Sequence, residues 1–251
     1  IVGCESTDTV LDILEKAVHY IADDLGRFIG WCLNEMGLGG AVGQATGLIH
    51  EFEGEQAVAI LKHTNPCGVA RVLEGGTAEA FEAALACDPV SAFGGIVACS
   101  QEVDLAAAEA MAKIFLEVIV APSFTEEAKA RLMRKKNLRL MVRRQAFDAT
   151  PRLRSVQHGM LVQDTDEGAP EERKVCTQRA PTEHEAQAIE LAWKVCKHVK
   201  SNAIVFANAE QVVGIGAGQM SRVDAAELAI KRCHLDLRGT VVGSDAFFPF
   251  R

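Results

Sequence analysis

The sequence predicts an α/β layered fold in which sheets are buried beneath helices. Three observations point to it. Short apolar runs alternate with helical repeats between residues 57 and 132, several of those runs are apolar throughout, and helix-then-strand patterning restarts after residue 182. A strand that is apolar on both faces needs cover on both.

Taken in order, Val10, Ile13, Leu14, Ala17, Val18, Ile21 and Leu25 recur at helical spacing behind the capping candidates Ser6, Thr7, Asp8 and Thr9, which predicts a helix over 9–26. GLGGAVGQATGLIHEF carries a weaker helical pattern among glycines, and residues 57–61 read as a strand. GGIVACS (strand), DLAAAEAMAKIF (helix), LEVIVAP (strand) and TEEAKARLMRKK (helix) follow. In RLRSVQHGMLVQDTDEGAPEERK the acidic, Gly/Pro-containing second half predicts a surface connection between two subdomains. Thr182 and Glu185 then stand at capping-box spacing ahead of a stripe of Ala186, Ile189, Val195, Cys196 and Val199. Lys194, Lys197, His198 and Lys200 place cations where a helix C-terminus favours them. SNAIVFANAEQVVGIGAG reads as strand, turn, strand and SRVDAAELAIKRC as a helix; no internal repeat shows in the residues themselves.

Composition narrows the function classes. With 251 residues, 49% of them hydrophobic and 24% charged, the chain has the make-up of an ordinary soluble globular protein of one or two domains. A net charge of −8 disfavours a nucleic-acid or anionic-membrane partner. The local exception is KARLMRKKNLRLMVRR, residues 129–144, either a solvated helix face or a patch for an anionic small molecule. The 8 cysteines show no C-x-x-C and no histidine at ligand spacing, which disfavours zinc and suits reduced core residues. IVGCESTDTV has neither a charged leader nor an apolar signal core, and no apolar run approaches membrane-spanning length, so the cytoplasm is the expected location.

The chemistry concentrates in a few places. In AVAILKHTNPCGVARV a buried strand runs into Lys62 and His63. Neighbouring side chains on a strand face opposite ways, so both meet one ligand only if the strand has ended, and TNPCG, with Pro66 and Gly68, reads as the loop that ends it. An adjoining ammonium favours a neutral imidazole, able to act as a base; a surface pair of no consequence is the other reading. In CDPVSAFGG, Asp88 and Pro89 start a turn, and Gly94 and Gly95 either admit a ligand to the backbone or serve a plain tight turn. Glu117 interrupts an apolar strand and must be paired, hydrogen-bonded or at the strand's exposed end. GIGAGQMSR departs from G-x-G-x-x-G, leaving an anion-cradling turn or a structural one. HTNPCGVA echoes zinc deaminases but lacks their glutamate and second cysteine.

Taken in order, KHTNPCGVA, DPVSAFGGIVA, FLEVIVAPSFTEEA, KKNLRL, KHVKSNAIVFA, GIGAGQMSRVDA and SDAFFPFR resemble the transformylase half of the bifunctional purine-biosynthesis enzymes, over roughly residues 40–251. The resemblance implies two cytidine-deaminase-like α/β/α subdomains without zinc: residues 1–45 an N-terminal helical segment poorly matched to the family, 46–165 the first subdomain, 175–251 a second that stops short of the family's C-terminus. It implies transfer of a formyl group from 10-formyltetrahydrofolate to the 5-amino group of 5-aminoimidazole-4-carboxamide ribonucleotide (AICAR), by a homodimer. By the same resemblance Lys62, His63 and Asn202 are catalytic; Gly94, Gly95, Glu117, Gln219, Arg222, Phe247 and Pro249 line the substrate and folate region. A monovalent cation such as potassium is implied too. The family's Arg-Tyr-Gly-x-Asn-Pro-His-like block has no counterpart in residues 1–50, and no cyclohydrolase half is present. The rival readings are a non-catalytic binding or assembly subunit that keeps the fold, and a zinc deaminase.

Overall fold

A computed structural model describes residues 39–143, 152–164, 166 and 174–248. The helix expected over 9–26 and Pro249 lie outside them.

The mixed α/β prediction is met by a five-stranded sheet, a three-stranded sheet and a separate hairpin. α1 (Gly39–His50) leads into β1 (Gln56–Lys62) and β2 (Asn65–Val72), followed by α2 (Thr77–Cys87) and β3 (Gly95–Cys99). α3 (Leu105–Met111), β4 (Leu116–Ala121), α4 (Glu126–Leu132) and β5 (Arg139–Val142) complete the first sheet, in the order β2-β1-β3-β4-β5. β1 is antiparallel to both β2 and β3, whereas β3, β4 and β5 run parallel.

Period two along β1 divides its side chains between two cores. Val58 and Ile60 pack with Phe81, Ala84, Met111 and Leu132 of α2, α3 and α4; Ala57, Ala59 and Leu61 pack with Leu48 and Ile49 of α1. That double burial is why the run carries no polar alternation.

β6 (Arg152–Val156) and β7 (Gly159–Gln163) form the isolated hairpin, inside the stretch whose second half was expected to be a connection. α5 (Glu183–Cys196) opens with the expected capping box, the Thr182 hydroxyl accepting from Glu185 N–H and the Glu185 carboxylate accepting from Thr182 N–H. β8 (Ile204–Ala207), β9 (Val212–Gly216), α6 (Arg222–Arg232) and β10 (Val241–Ser244) follow, with sheet order β10-β8-β9.

The sequence shows no repeat, yet the topology does: α1-β1-β2-α2-β3 and α5-β8-β9-α6-β10 are the same unit, a hairpin whose first strand also pairs antiparallel with the strand after the helix. The two units share a core, in which Leu191 and Val195 of α5 join the α1 face of the first sheet. Their hairpins meet edge to edge, with an antiparallel bridge from Ala70 to Gln211 and Arg71 N–H donating to Glu210 at 2.7 Å.

The buried Arg71 side chain closes that seam. It donates to the Ala209 carbonyl, the Gln187 carbonyl and the Glu55 carboxylate at 3.1, 2.8 and 2.9 Å. The cations assigned above to a helix dipole have nearer partners: Lys194 pairs with Glu55 at 2.9 Å, and Lys197 and His198 pair with Glu51 at 2.9 and 3.0 Å.

Candidate active site

The stretch after β1 corrects the sequence reading. TNPCG is no loop. His63 and Thr64 alone make the turn, with φ of 49° and 69°, and Lys62 pairs across it with Asn65. A two-residue turn with both φ positive matches the twist of a hairpin. Pro66 sits in an edge strand, where its missing N–H is tolerated. Gly68 serves packing rather than a turn: a Cβ there would lie 1.9 Å from the Ala84 carbonyl oxygen of α2.

The hairpin tip is latched to the second unit. Lys200 Nζ donates to Thr64 Oγ1 at 2.8 Å, and Lys200 N–H donates to Asn65 Oδ1 at 3.1 Å. Between the units lies a cleft of about 320 Å³, walled by Lys62, His63, Asn65, Cys67, Asp88 and Ser91 on one side and by Gly214, Ala217, Gln219 and Arg232 on the other. Lys62 is half-buried and His63 exposed.

Lys62 Nζ donates to the Gly94 carbonyl at 2.8 Å, and Gly94 N–H to the Phe115 carbonyl at 2.8 Å. Gly94, at φ 67°, is where a Cβ would stand 2.8 Å from that ammonium; at Gly95 a Cβ would meet the Ala92 and Leu61 oxygens at 2.9 Å. The paired glycines therefore let Lys62 and β1 close on the turn. Asp88 accepts from Ser91 N–H at 2.9 Å, fixing the start of that turn. Burial, reinforced by the Asp88 carboxylate, pushes the Cys67 thiol up to about 12, so it stays protonated and inert at neutral pH.

Gln219 is held from behind by Asn202. Asn202 N–H and Nδ2 donate to the Gln219 carbonyl at 3.0 and 2.8 Å. Asp245 anchors the same segment, accepting from Ala203 N–H at 3.0 Å and from Arg222 Nη1 at 2.5 Å. Arg222 Nε also donates to the Phe247 carbonyl at 2.9 Å. Burial raises the Asp245 carboxyl, but hydrogen bonds from Ser201, the Ala203 N–H and Arg222 outweigh it and hold the group below the usual range.

The structure thus brings Lys62, His63 and Gln219 to one cleft, with Gly94 on Lys62 and Asn202 on Gln219. Gly95 is buried in β3. Glu117 stands at the register shift that opens the β3–β4 pairing, the strand-end alternative among those open to it. Arg222 and the 80% exposed Phe247 lie together away from the cleft lining.

The glycines of GIGAGQMSR divide their work: Gly214 and Gly216 admit α6 to β9, and Gly218 turns the chain at φ 67°. Sequence reasoning missed Asn65 and Arg232 as cleft residues. Asn65 was hidden by reading its strand as a loop, and Arg232 is one basic residue at the end of an amphipathic helix. Among the described residues no three His, Cys, Asp or Glu side chains stand together as a metal site, and no helix is long and apolar enough to cross a membrane.

The family described as "AICARFT/IMPCHase bienzyme" matches residues 41–232. A protein named bifunctional purine biosynthesis protein PurH in Myxococcus xanthus is 51% identical over 215 residues, 82% of this chain and 41% of that protein. The proteins of the same name in Chloroflexus aurantiacus and Halalkalibacterium halodurans are 51% and 50% identical, over 81% and 82% of this chain. The chain spans about two-fifths of the length of these relatives, 41% or 40% in each. With more than half of its residues inside the matched region, the chain belongs to the AICARFT/IMPCHase bienzyme family.

Proposed function

We propose that this chain carries the formyl-transfer chemistry of purine biosynthesis, moving a formyl group from 10-formyltetrahydrofolate to the 5-amino group of AICAR. The observation that carries this reading is the placement of Lys62 and His63 at a hairpin tip, on a cleft whose opposite wall includes Gln219.

An aminoimidazole amine conjugated to a carboxamide is a weak nucleophile, so its attack on the formyl carbon needs proton removal and a stabilised oxyanion. His63 takes the proton from the amine. Lys62 spends one of its three N–H donors on Gly94 and has two left, one of them to deliver a proton to the departing folate nitrogen. Asn202 spends one Nδ2 hydrogen on the Gln219 carbonyl and keeps the other for the reacting carbonyl oxygen. Glu117, Arg222, Phe247 and Pro249 belong to substrate contacts around these groups. The same reading takes the protein to act as a cytoplasmic homodimer on small-molecule substrates.

His63→Ala tests it. Turnover should fall about 100-fold or more, the typical scale of a lost general base, with folate binding retained. Undiminished turnover in the variant sinks the assignment. AICAR and folate binding by the wild-type protein with no transfer at all would point instead to a non-catalytic binding role.

A further inference from the structure

The turn that presents His63 runs against its own residue types. A two-residue turn with both φ positive favours Asn-Gly or a similar pair, yet this one holds His63 at 49° and Thr64 at 69°. Thr64 is β-branched, and a branched side chain crowds a left-handed backbone more than most. Such a conformation persists where the surroundings hold it, and residues so held gather at functional sites. Here the hold comes from the second unit, through Lys200.

Thr64 has a single O–H, which it donates to the His63 carbonyl. The same oxygen accepts from Lys200 Nζ at 2.8 Å, so two hydrogen bonds run in one direction, from the ammonium through the hydroxyl to the His63 peptide. Lys200 N–H reaches Asn65 Oδ1 at 3.1 Å, on the far side of the turn. The Lys200 carbonyl faces the other wall and accepts from Gly218 N–H at 2.7 Å, one residue before Gln219. One residue thus ties both banks of the cleft. Charge neutralisation is not what places it. Lys194 and Lys197 give their ammonium groups to Glu55 and Glu51, whereas among the described residues Lys200 pairs with no carboxylate and gives its own to a hydroxyl.

Resting on the formyl-transfer reading, we infer that Lys200 is a positioning residue, which fixes the His63 backbone through the Thr64 hydroxyl and so the direction in which the imidazole enters the cleft. It touches no substrate. The Lys200–Thr64 bond is exposed and adds little to global stability, so its loss is read in turnover rather than in melting.

Two measurements on the same preparations test this. Steady-state formyl transfer gives kcat and KM. The carbon-13-labelled Cε1–H signal of His63, assigned as the one that vanishes in His63→Gln, reports the imidazole independently of turnover. Lys200→Ala and Thr64→Val both remove the Lys200–Thr64 bond and leave the backbone bond to Asn65 in place; Val keeps the branching of Thr. Each should lower kcat about tenfold with KM for AICAR and folate unchanged, the scale of a small misplacement of a reacting group. The double variant should fall no further than Thr64→Val, where independent losses would multiply to about a hundredfold. The His63 signal should move or split in all three, and Lys200→Arg and Thr64→Ser should restore both the signal and most of the rate. A raised KM with kcat intact would make Lys200 a substrate contact and overturn the inference. So would multiplicative losses in the double variant, or a His63 signal unmoved by Lys200→Ala. Wild-type protein that transfers no formyl group, with the signal responding as described, would sustain the hold on His63 and sink the catalytic reading; full transfer in Lys200→Ala with an unmoved signal would do the reverse.

Discussion

Gly216 and Ala225 meet backbone to backbone: a Cβ built on Gly216 would stand 1.7 Å from the Ala225 carbonyl oxygen. A carbonyl inside a helix has no rotamer with which to yield, so any side chain at 216 must lift α6 from β9. Overpacking a core typically costs about 1–3 kcal/mol, and a clash with backbone belongs at or above the top of that range. Gly216→Ala should therefore lower the thermal midpoint by many degrees. Gly43→Ala is the contrast, because nothing lies within 4 Å of its added Cβ in α1, and it should stabilise the protein by about 0.5–1 kcal/mol. Equal melting of Gly216→Ala and wild type would show that the two elements are not in contact.

Gly94→Ala should disable Lys62 while leaving the lysine itself in place in the sequence. The residue has φ 67°, and the new methyl would press on the ammonium at 2.8 Å, displacing it from the Gly94 carbonyl. Left-handed backbone costs a non-glycine residue about 1–2 kcal/mol. Denaturant unfolding should record that loss, and formyl transfer should fall by more than stability alone explains. A variant with wild-type turnover would detach the glycine from the site.

Asp245 should govern activity through Asn202. Asp245→Asn keeps an oxygen for the Ala203 N–H but loses the charge facing Arg222, whereas Asp245→Ala loses both. Steady-state kinetics should show turnover falling in the order wild type, Asn, Ala. If Asn and Ala behave alike, the bond to Ala203 is not what positions the segment.

Acid should loosen the tie between α5 and the segment after α1. Burial raises the Glu51 carboxyl, but hydrogen bonds and charge from His198 and Lys197 overcome it and bring the group from 4.5 to about 2. The unfolded chain takes up this proton near 4.5 and the folded one only near 2, so the stabilisation is complete above 4.5 and drains away as pH falls toward 2. Denaturant titrations should show stability falling through that window. Glu51→Gln should flatten the fall in part, because Glu53 and Glu55 are also held below their usual range. An identical pH slope in the variant would exclude Glu51.

Helices and buried strands were legible because both signals are local. Thr182 and Glu185 announced α5, and the unbroken apolar run of β1 foretold cover on both faces. β2 was not legible, since Pro66 and Gly68 read as turn residues unless an edge position and a helix carbonyl at 1.9 Å are known. β5 was hidden for a related reason: Arg139, its one cation, belongs to an edge strand, yet in sequence it continues the run of cations from the helix before it. The site was half visible. Lys62 and His63 stood out as basic residues after an apolar strand, while Arg232 reaches the cleft only through the packing of α6, which no local pattern encodes.

The contact between Lys200 and Thr64 joins residues 136 positions apart, and Gln219 lies further along still. During synthesis the first hairpin can close on its own, but the opposite bank of the pocket does not exist until the second unit has emerged and docked. Ligand can therefore act only as a late trap on folding, rewarding chains that have already paired their two edges. Substitutions along Ala70–Gln211 should thus lower the yield of binding-competent protein more than they lower the affinity of molecules that mature.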